Sequence, residues 1–438
     1  MRKLYISFLL IISASVYTFG GVTQITVDGI AREYIVVAPE TSSDSPKPLI
    51  VFLHGLGWDI TEYEAMAQQL ANEKDAVVLL PQALNEQDDN LIGLANFATS
   101  YALEIPEILT YLDLAGIQKQ DLLELSDFSA YPVWGAGASI PFDFNDLVSR
   151  GLIPNEPLLL LYLQSTYKKY IDAGKIELNK DVDDVAFINS AINDIKVPYN
   201  IDESKILVAG ASMGGAMAYK YAYSENSQAT ALAVVSGFIG NEVDHSKTLD
   251  IPVCIFHSKD DEIIPYEGTV FSQPITEIIS EFAQKFGCGE AITDDIKKIA
   301  DDGITVQVNN YECNTAFKFY LLSGASHFDF LTSDYETGPN DIDYFTEIWN
   351  FFAKSTSLNV EDISVSNNIS FFYPNPAKEN ISFSVSGNYE LKDIAGKAVL
   401  KGNAAAGESI SVGNIPAGLY VITLKSAEGN CANKLIIK

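Results

Sequence analysis

The chain has 438 residues, enough for two domains and a third small one, with 47% hydrophobic and 20% charged residues. That balance excludes disorder as the default and fits a folded protein with a sizeable core. Acids outnumber bases 58 to 28, and the resulting formal charge of −30 repels nucleic acid and anionic lipid, so neither is an expected partner. Such a charge suits the solubility of an extracellular protein, with attraction of cationic substrates as the other reading.

Arg2 and Lys3 give a positive start, an apolar stretch runs from Leu4 to about Phe19, and the small Gly20 and Gly21 precede the polar Thr23 and Gln24. This order predicts a secretory signal peptide over residues 1–20, because the apolar run is short for a membrane span and no stop-transfer charges follow it. The mature chain is expected outside the cytoplasm, with no transmembrane span.

Ile25 to Ala38 alternates in strand fashion around Asp28-Gly29, which predicts a hairpin. Leu49 to Leu53 is a continuous apolar run, as for a strand buried on both faces, and it ends at His54-Gly-Leu-Gly57. A helical pattern from about Tyr63 to Asn72 and a second buried run, Ala76 to Leu80, complete a parallel crossover unit. The alternation resumes with helix Asp184–Ile195, strand Lys205–Ala209, helix Ala216–Tyr223, strands Ala231–Val235, Val253–Phe256 and Phe317–Leu322, and a closing helix Ile342–Phe352. The fold class expected is α/β, a doubly wound, mostly parallel sheet.

Within this unit, assigned to residues 21–355, the pattern lapses over about 83–180. That stretch holds helix-like Ile105–Leu114, the Gly/Ala-rich turn Trp134–Ala138 and the apolar-aromatic run Leu158–Tyr170. It reads as an insertion over the C-terminal strand edge, either a structural cap or a moving lid. Trp134, with Phe142, Phe144 and Tyr162, is a candidate to line a substrate pocket, although such aromatics also form an insertion's own core. From about 356 to 438 short alternating strands dominate, which predicts a small β-sandwich joined through a Ser/Asn-rich stretch, Lys354 to Asn368.

The four cysteines, 254, 288, 313 and 431, allow three complete pairings. Cys254 lies in the apolar run Ile251–Phe256 and is expected as a buried free thiol, and Cys431 falls in the separate C-terminal segment. Cys288 and Cys313 are left as partners. The few His and Cys residues show no zinc-ligand spacing, so no metal or cofactor is expected.

The strongest local signal is Gly210-Ala-Ser212-Met-Gly214, between a predicted strand and an alanine-rich helix. A Gly-x-Ser-x-Gly turn in that context is a nucleophile elbow, which lifts the serine above the sheet. A serine hydroxyl needs a base, and the chain order in such sheets is nucleophile, acid, histidine. Of histidines 54, 245, 257 and 327, only His327 follows the last core strand and precedes the closing helix. The acid is expected among Asp260, Asp261 and Glu262, just after a strand; spacing alone leaves the three open, the unused ones being expected to face solvent. Oxyanion donors are expected at the backbone N–H of Met213 and of Leu56.

Val27-Asp-Gly-Ile-Ala-Arg32, Leu53-His-Gly55, Asp183-Asp-Val185, Gly210–Gly215, His257–Tyr266 and Ser326-His327 occur in order. Together they resemble secreted polyhydroxybutyrate depolymerase and feruloyl esterase-like proteins. The resemblance spans roughly Ile25 to Phe352 outside the insertion. It implies a serine esterase of the α/β-hydrolase fold, with Asp261 as the acid, four residues after His257 and four before Pro265, and it supports the Cys288–Cys313 pair. The chain departs from the family at Phe328-Asp329, where a Trp-Pro pair is common, and in its long insertion. The C-terminal motifs Phe372-Tyr-Pro-Asn-Pro376, Leu391–Lys397, Pro416–Tyr420 and Lys434–Lys438 resemble the type IX secretion sorting domain of Bacteroidetes. That implies export through the outer-membrane secretion machinery, then release or surface attachment; a small substrate-binding sandwich is the other reading.

The activity expected is hydrolysis of carboxylic esters through an acyl-serine, with polyhydroxyalkanoate or feruloyl-type esters, polymeric ones included, as the implied substrates. A peptidase or acyltransferase on the same fold, or a silent surface-displayed polymer-binding protein, are the rivals.

Overall fold

Alternating or continuous apolar runs closed by turn residues account for the buried strands of this chain. In a computed structural model the described residues are 21–41, 45–102, 129–151, 153–296, 302–327, 329, 342–355, 372–373, 377–393, 398–426 and 429–438. The predicted signal peptide, helix-like Ile105–Leu114, most of the predicted linker, Phe328 and parts of the tail motifs lie outside them. The chain divides into two units, Met1–Thr356 and Ser357–Lys438.

In the first unit the hairpin β1 (Thr23–Val27) and β2 (Ile30–Val37) turns at Asp28-Gly29, both at positive φ. Then follow β3 (Lys47–Leu53), β4 (Val77–Pro81), and four short strands in the insertion: β5 (Leu84–Asn85), β6 (Pro132–Val133), β7 (Ser139–Pro141) and β8 (Lys175–Glu177). The series continues with β9 (Ile201–Ala211), β10 (Ala231–Val235), β11 (Val253–Ser258), β12 (Ile292–Asp295), β13 (Thr305–Tyr311) and β14 (Phe317–Ser323). Ten of these build one sheet in the order β1-β2-β4-β3-β9-β10-β11-β14-β13-β12. The six from β4 to β14 run parallel, flanked by antiparallel β1-β2 and β13-β12. This is the α/β-hydrolase arrangement.

Both faces are covered. Leu49, Val51, Leu53, Val208, Val234 and Ile255 share one buried core with helices Asp184–Lys196, Met213–Tyr223 and Ile275–Lys285. The alternate residues point the other way, where Phe52 and Phe256 meet Phe345 and Tyr344 of helix Tyr344–Ser355, ring centroids 5.6 and 5.3 Å apart. Successive strands run leftward from β3 to β4 and rightward from β9 to β10, so the order reverses at β3/β9. With right-handed crossovers such a reversal leaves a crevice beyond the strands' C-terminal ends, where open α/β sheets bind ligands. The ends that meet there are Leu53-His54 and Ala211-Ser212.

Helix Ile275–Lys285 and the edge strands β12 and β13 were not among the elements expected. The insertion carries its own small core, in which Phe142, Phe144, Leu163 and Tyr170 are buried. Cys288 and Cys313 form a disulfide, and Cys254 is a buried free thiol.

The second unit has β15 (Phe372–Tyr373), β16 (Asn380–Phe383), β17 (Gly387–Asp393), β18 (Ala398–Ala404), β19 (Ser409–Ser411), β20 (Gly418–Ser426) and β21 (Gly429–Ile437). They form two antiparallel sheets, β15-β16-β19 and β18-β17-β20-β21, around a shared core of Phe372, Ile381, Phe383, Leu391, Ile422 and Leu435. No helix among the described residues is long and apolar enough to cross a membrane.

Candidate active site

Ser212 stands at the turn between β9 and helix Met213–Tyr223 with φ 54° and ψ −123°, a strained backbone for a non-glycine residue. Its N–H donates to Val235 O at 2.9 Å, which fixes the turn to the neighbouring strand. The flanking glycines make the turn possible. A Cβ on Gly210 would lie 2.2 Å from Gly214 O, and one on Gly214 would lie 2.1 Å from Leu53 O and 2.4 Å from His54 O. The helix begins at Met213, earlier than its alanine-rich pattern implied, so the Met213 N–H is one of the unpaired donors of a helix N-terminus.

The structure brings Ser212, Asp261 and His327 together from the ends of three strands. His327 Nε2 lies 2.9 Å from Ser212 Oγ, and its Nδ1 lies 2.9 and 2.8 Å from Asp261 Oδ1 and Oδ2. All three side chains are buried. Asp261 Oδ1 also accepts the N–H groups of Ile263 and Ile264, at 3.0 and 2.7 Å. Burial alone would raise the Asp261 pKa; the His327 hydrogen bond and charge, with the Ile264 N–H, outweigh it and hold the carboxyl below the ordinary range. An imidazole bridging a hydroxyl and a fixed carboxylate can take a proton from the hydroxyl as the oxygen attacks.

Asp260 and Glu262 are exposed, yet they do not simply face solvent. Asp260 Oδ2 accepts Gly324 N–H at 2.6 Å and Glu262 Oε2 accepts His327 N–H at 3.1 Å. Only the loop's three-dimensional path shows these contacts.

Beside the serine, the loop after β3 approaches so closely that a Cβ on Gly55 would lie 3.6 Å from Ser212 Cβ. His54 orients this loop. Its Nε2 accepts Ala83 N–H at 3.0 Å, so its Nδ1–H donates to Gly55 O, 2.7 Å away. Holding the Gly55 carbonyl fixes the peptide plane that carries the Leu56 N–H. Burial pushes the His54 pKa down to about 4, which keeps the ring neutral.

Trp134, expected to line a substrate pocket, is instead fully buried. Its Nε1–H donates to His54 O at 3.0 Å, and its ring lies 5.1 Å from that of His54. Phe142 and Phe144 are likewise core residues of the insertion, whereas Tyr162 is exposed. Gly57 N–H donates to Pro132 O at 2.9 Å, and Tyr131 packs against Gly57 where a Cβ would come within 3.0 Å of its ring. Behind them, Arg32 pairs with Asp184 at 2.6 Å, and Asp184 accepts Gly135 N–H at 2.7 Å. The stretch 131–135 is therefore built into the wall beside Ser212. Among the described residues no His, Cys, Asp and Glu cluster could hold a metal ion.

Residues 175–288 match the family model described as phospholipase/carboxylesterase, and residues 371–438 match the secretion system C-terminal sorting domain. A "Probable feruloyl esterase C" of Aspergillus clavatus is 30% identical over 113 residues, and one of Aspergillus niger is 28% identical over 113. Each alignment covers 26% of this chain, and the chain spans 39% of the length of these relatives. Among solved structures, a thermophilic esterase of Thermogutta terrifontis is 12% identical with a TM-score of 0.41, over 78% of this chain and 95% of that one. Acetyl xylan esterase from Aspergillus awamori is 14% identical with a TM-score of 0.39, over 76% of this chain and 100% of that one. The sorting domain marks the chain as exported, for secretion or retention at the cell surface. Residues 175–288 are thus similar to the phospholipase/carboxylesterase family, and residues 371–438 to the secretion system C-terminal sorting domain.

Proposed function

We propose that this chain is an exported serine esterase, with Ser212 as nucleophile, His327 as general base and acid, and Asp261 as the carboxylate that holds the imidazole. One observation carries the reading: the unbroken relay from Ser212 Oγ through His327, 2.9 Å on one side and 2.8 Å on the other, to Asp261. Ser212 Oγ attacks the ester carbonyl carbon while His327 Nε2 takes the hydroxyl proton. The bond to the alcohol then breaks, and the alcohol leaves with that proton. Water attacks the acyl-serine as its proton passes to His327, and the acid departs when the proton returns to Ser212 Oγ. Asp261 keeps Nδ1–H aimed and balances the imidazolium. The N–H groups of Met213 and Leu56 stabilise the oxyanion, each worth about 10²–10³ in rate.

The partial match to proteins named feruloyl esterase and the sequence resemblance favour feruloyl or hydroxyalkanoate esters, polymeric ones included. The sorting domain is the part that the outer-membrane secretion machinery engages. Ser212→Ala is expected to abolish turnover of p-nitrophenyl esters and fluorophosphonate labelling while the protein stays folded by circular dichroism. Wild-type-like turnover in that variant sinks the assignment. Peptide hydrolysis or acyl transfer to an alcohol outpacing ester hydrolysis points to a peptidase or acyltransferase, and no labelling of the wild type points to a binding protein.

A further inference from the structure

The loop that carries His327 has an unusual neighbour. Residues 258–262, which leave the end of β11, grip the backbone of residues 322–327 almost continuously. Lys259 N–H donates to Leu322 O at 3.0 Å, and Ser258 Oγ–H donates to Ala325 O at 2.6 Å while accepting Asp260 N–H at 3.1 Å. Asp260 then takes Gly324 N–H at 2.6 Å, Asp261 takes the His327 ring, and Glu262 takes the His327 N–H at 3.1 Å. Three consecutive acids therefore serve one loop. The middle one meets the imidazole and the outer two meet main-chain donors on either side of Ala325.

We propose that Asp260 and Glu262 are positioning residues for His327, an inference that rests on the esterase reading above. The physical reason is leverage. The imidazole must sit within hydrogen-bond reach of both Ser212 and Asp261, and the reach is set by the Cα–Cβ direction of His327, hence by its peptide plane. Glu262 holds that plane at the N–H. Asp260 holds the loop one turn earlier at Gly324, whose φ of +84° suits glycine and whose Cβ, if present, would lie 2.6 Å from Gly303 O. Hydrogen bonds from backbone N–H to an ionised carboxylate are stronger than neutral ones, which favours acids over Ser or Asn at these positions. Both carboxylates are exposed, so their contribution to global stability is small. Their contribution to geometry is larger, since a displacement of about 1 Å in a reacting group can cost on the order of 10²-fold in rate.

The test uses the full chain with p-nitrophenyl acetate, a fluorophosphonate probe and a thermal melt. Glu262→Ala is expected to lower kcat and the labelling rate about tenfold with KM nearly unchanged, and Asp260→Ala about threefold. Glu262→Gln, whose amide oxygen still accepts the N–H, is expected to restore kcat to within about twofold. Melting temperatures are expected to stay within about 2 °C of wild type in all three. Alanine variants that label and turn over at the wild-type rate overturn the proposal alone. So does a loss that Gln fails to restore and that tracks a lower melting temperature, because that is general destabilisation. A wild type that takes up no probe overturns both this proposal and the functional reading on which it rests.

Discussion

Gly214→Ala is the most revealing single substitution in this fold, because it loads one methyl group between the turn that carries Ser212 and the loop beside it. The added Cβ would lie 2.1 Å from Leu53 O and 2.4 Å from His54 O. A carbon and a carbonyl oxygen normally keep about 3.3 Å apart, so one side must retreat by roughly 1 Å. Neither obstacle is a side chain that can rotate away. Both are backbone at the end of β3, from which the Leu56 N–H is presented. Overpacking of this kind costs about 1–3 kcal/mol of stability. The same retreat pulls one proposed oxyanion donor out of range, a loss of about 10²–10³ in kcat. Gly215→Ala is the control: its Cβ would meet Gly237 Cα and Val234 Cγ1 at 3.0 Å, a contact that a few tenths of an ångström relieve. The assay is kcat and KM on p-nitrophenyl acetate beside the melting temperature of both variants. Near-wild-type kcat in Gly214→Ala, or an equal loss in the two variants, would refute the reasoning.

Three further outcomes are expected. Trp134→Phe keeps an aromatic ring but leaves His54 O without its 3.0 Å donor, which is expected to destabilise the first unit by about 1–3 kcal/mol in urea melts, with kcat falling more than KM rises. A change confined to KM would mean that Trp134 meets substrate after all. The buried His54 titrates near 4 against an ordinary 6.5, so its contribution to stability is full above pH 6.5 and is lost as pH falls through about 4. About 3 kcal/mol follows from that linkage, and urea melts from pH 7 to pH 4 on wild type and His54→Gln are expected to converge at the acid end. Reduction of Cys288–Cys313, which closes a span of 25 residues, is expected to lower stability by about 3 kcal/mol, measured as a lower melting temperature in dithiothreitol. An unchanged melt would show that the unfolded chain gains little freedom there.

Much of the sheet was legible because its strands are buried on both faces and therefore continuous in apolar residues, as in Leu49–Leu53 and Ala231–Val235. Glycine spacing and chain order suggested the proposed nucleophile and base, and they left the proposed acid open among three neighbours until the family resemblance pointed to Asp261. The flank of the sheet was not. β12 is exposed throughout and carries Asp294 and Asp295, so no period marks it. Helix Ile275–Lys285, by contrast, buries Ile275, Ile278, Ile279 and Phe282, a helical stripe whose i, i+3, i+4, i+7 spacing is present in the sequence. Trp134 was misjudged because an aromatic in a glycine-rich turn looks like a pocket residue. What decides its place is a carbonyl 80 residues earlier in the chain, at His54.

That contact also bears on what the insertion does near the serine. A lid must be able to leave, so its contacts with the site should be few and exposed. The near end of this insertion has the opposite character. Gly57 N–H is bound by Pro132 O, His54 O by the Trp134 indole, and Gly135 N–H by Asp184, which is itself ion-paired to Arg32 on β2. Asn179 Nδ2, at the insertion's C-terminal end, donates to Leu84 O at its start, 3.0 Å away, and to Val133 O at 2.7 Å, so the two ends are tied to each other and to this stretch. Opening this stretch would break several buried hydrogen bonds at once and would take from the buried Asp184 carboxylate the Gly135 N–H that helps to satisfy it. Residues 131–135 are therefore a buttress that holds the loop beside Ser212 in place, and any movement that admits substrate has to come from elsewhere in the chain.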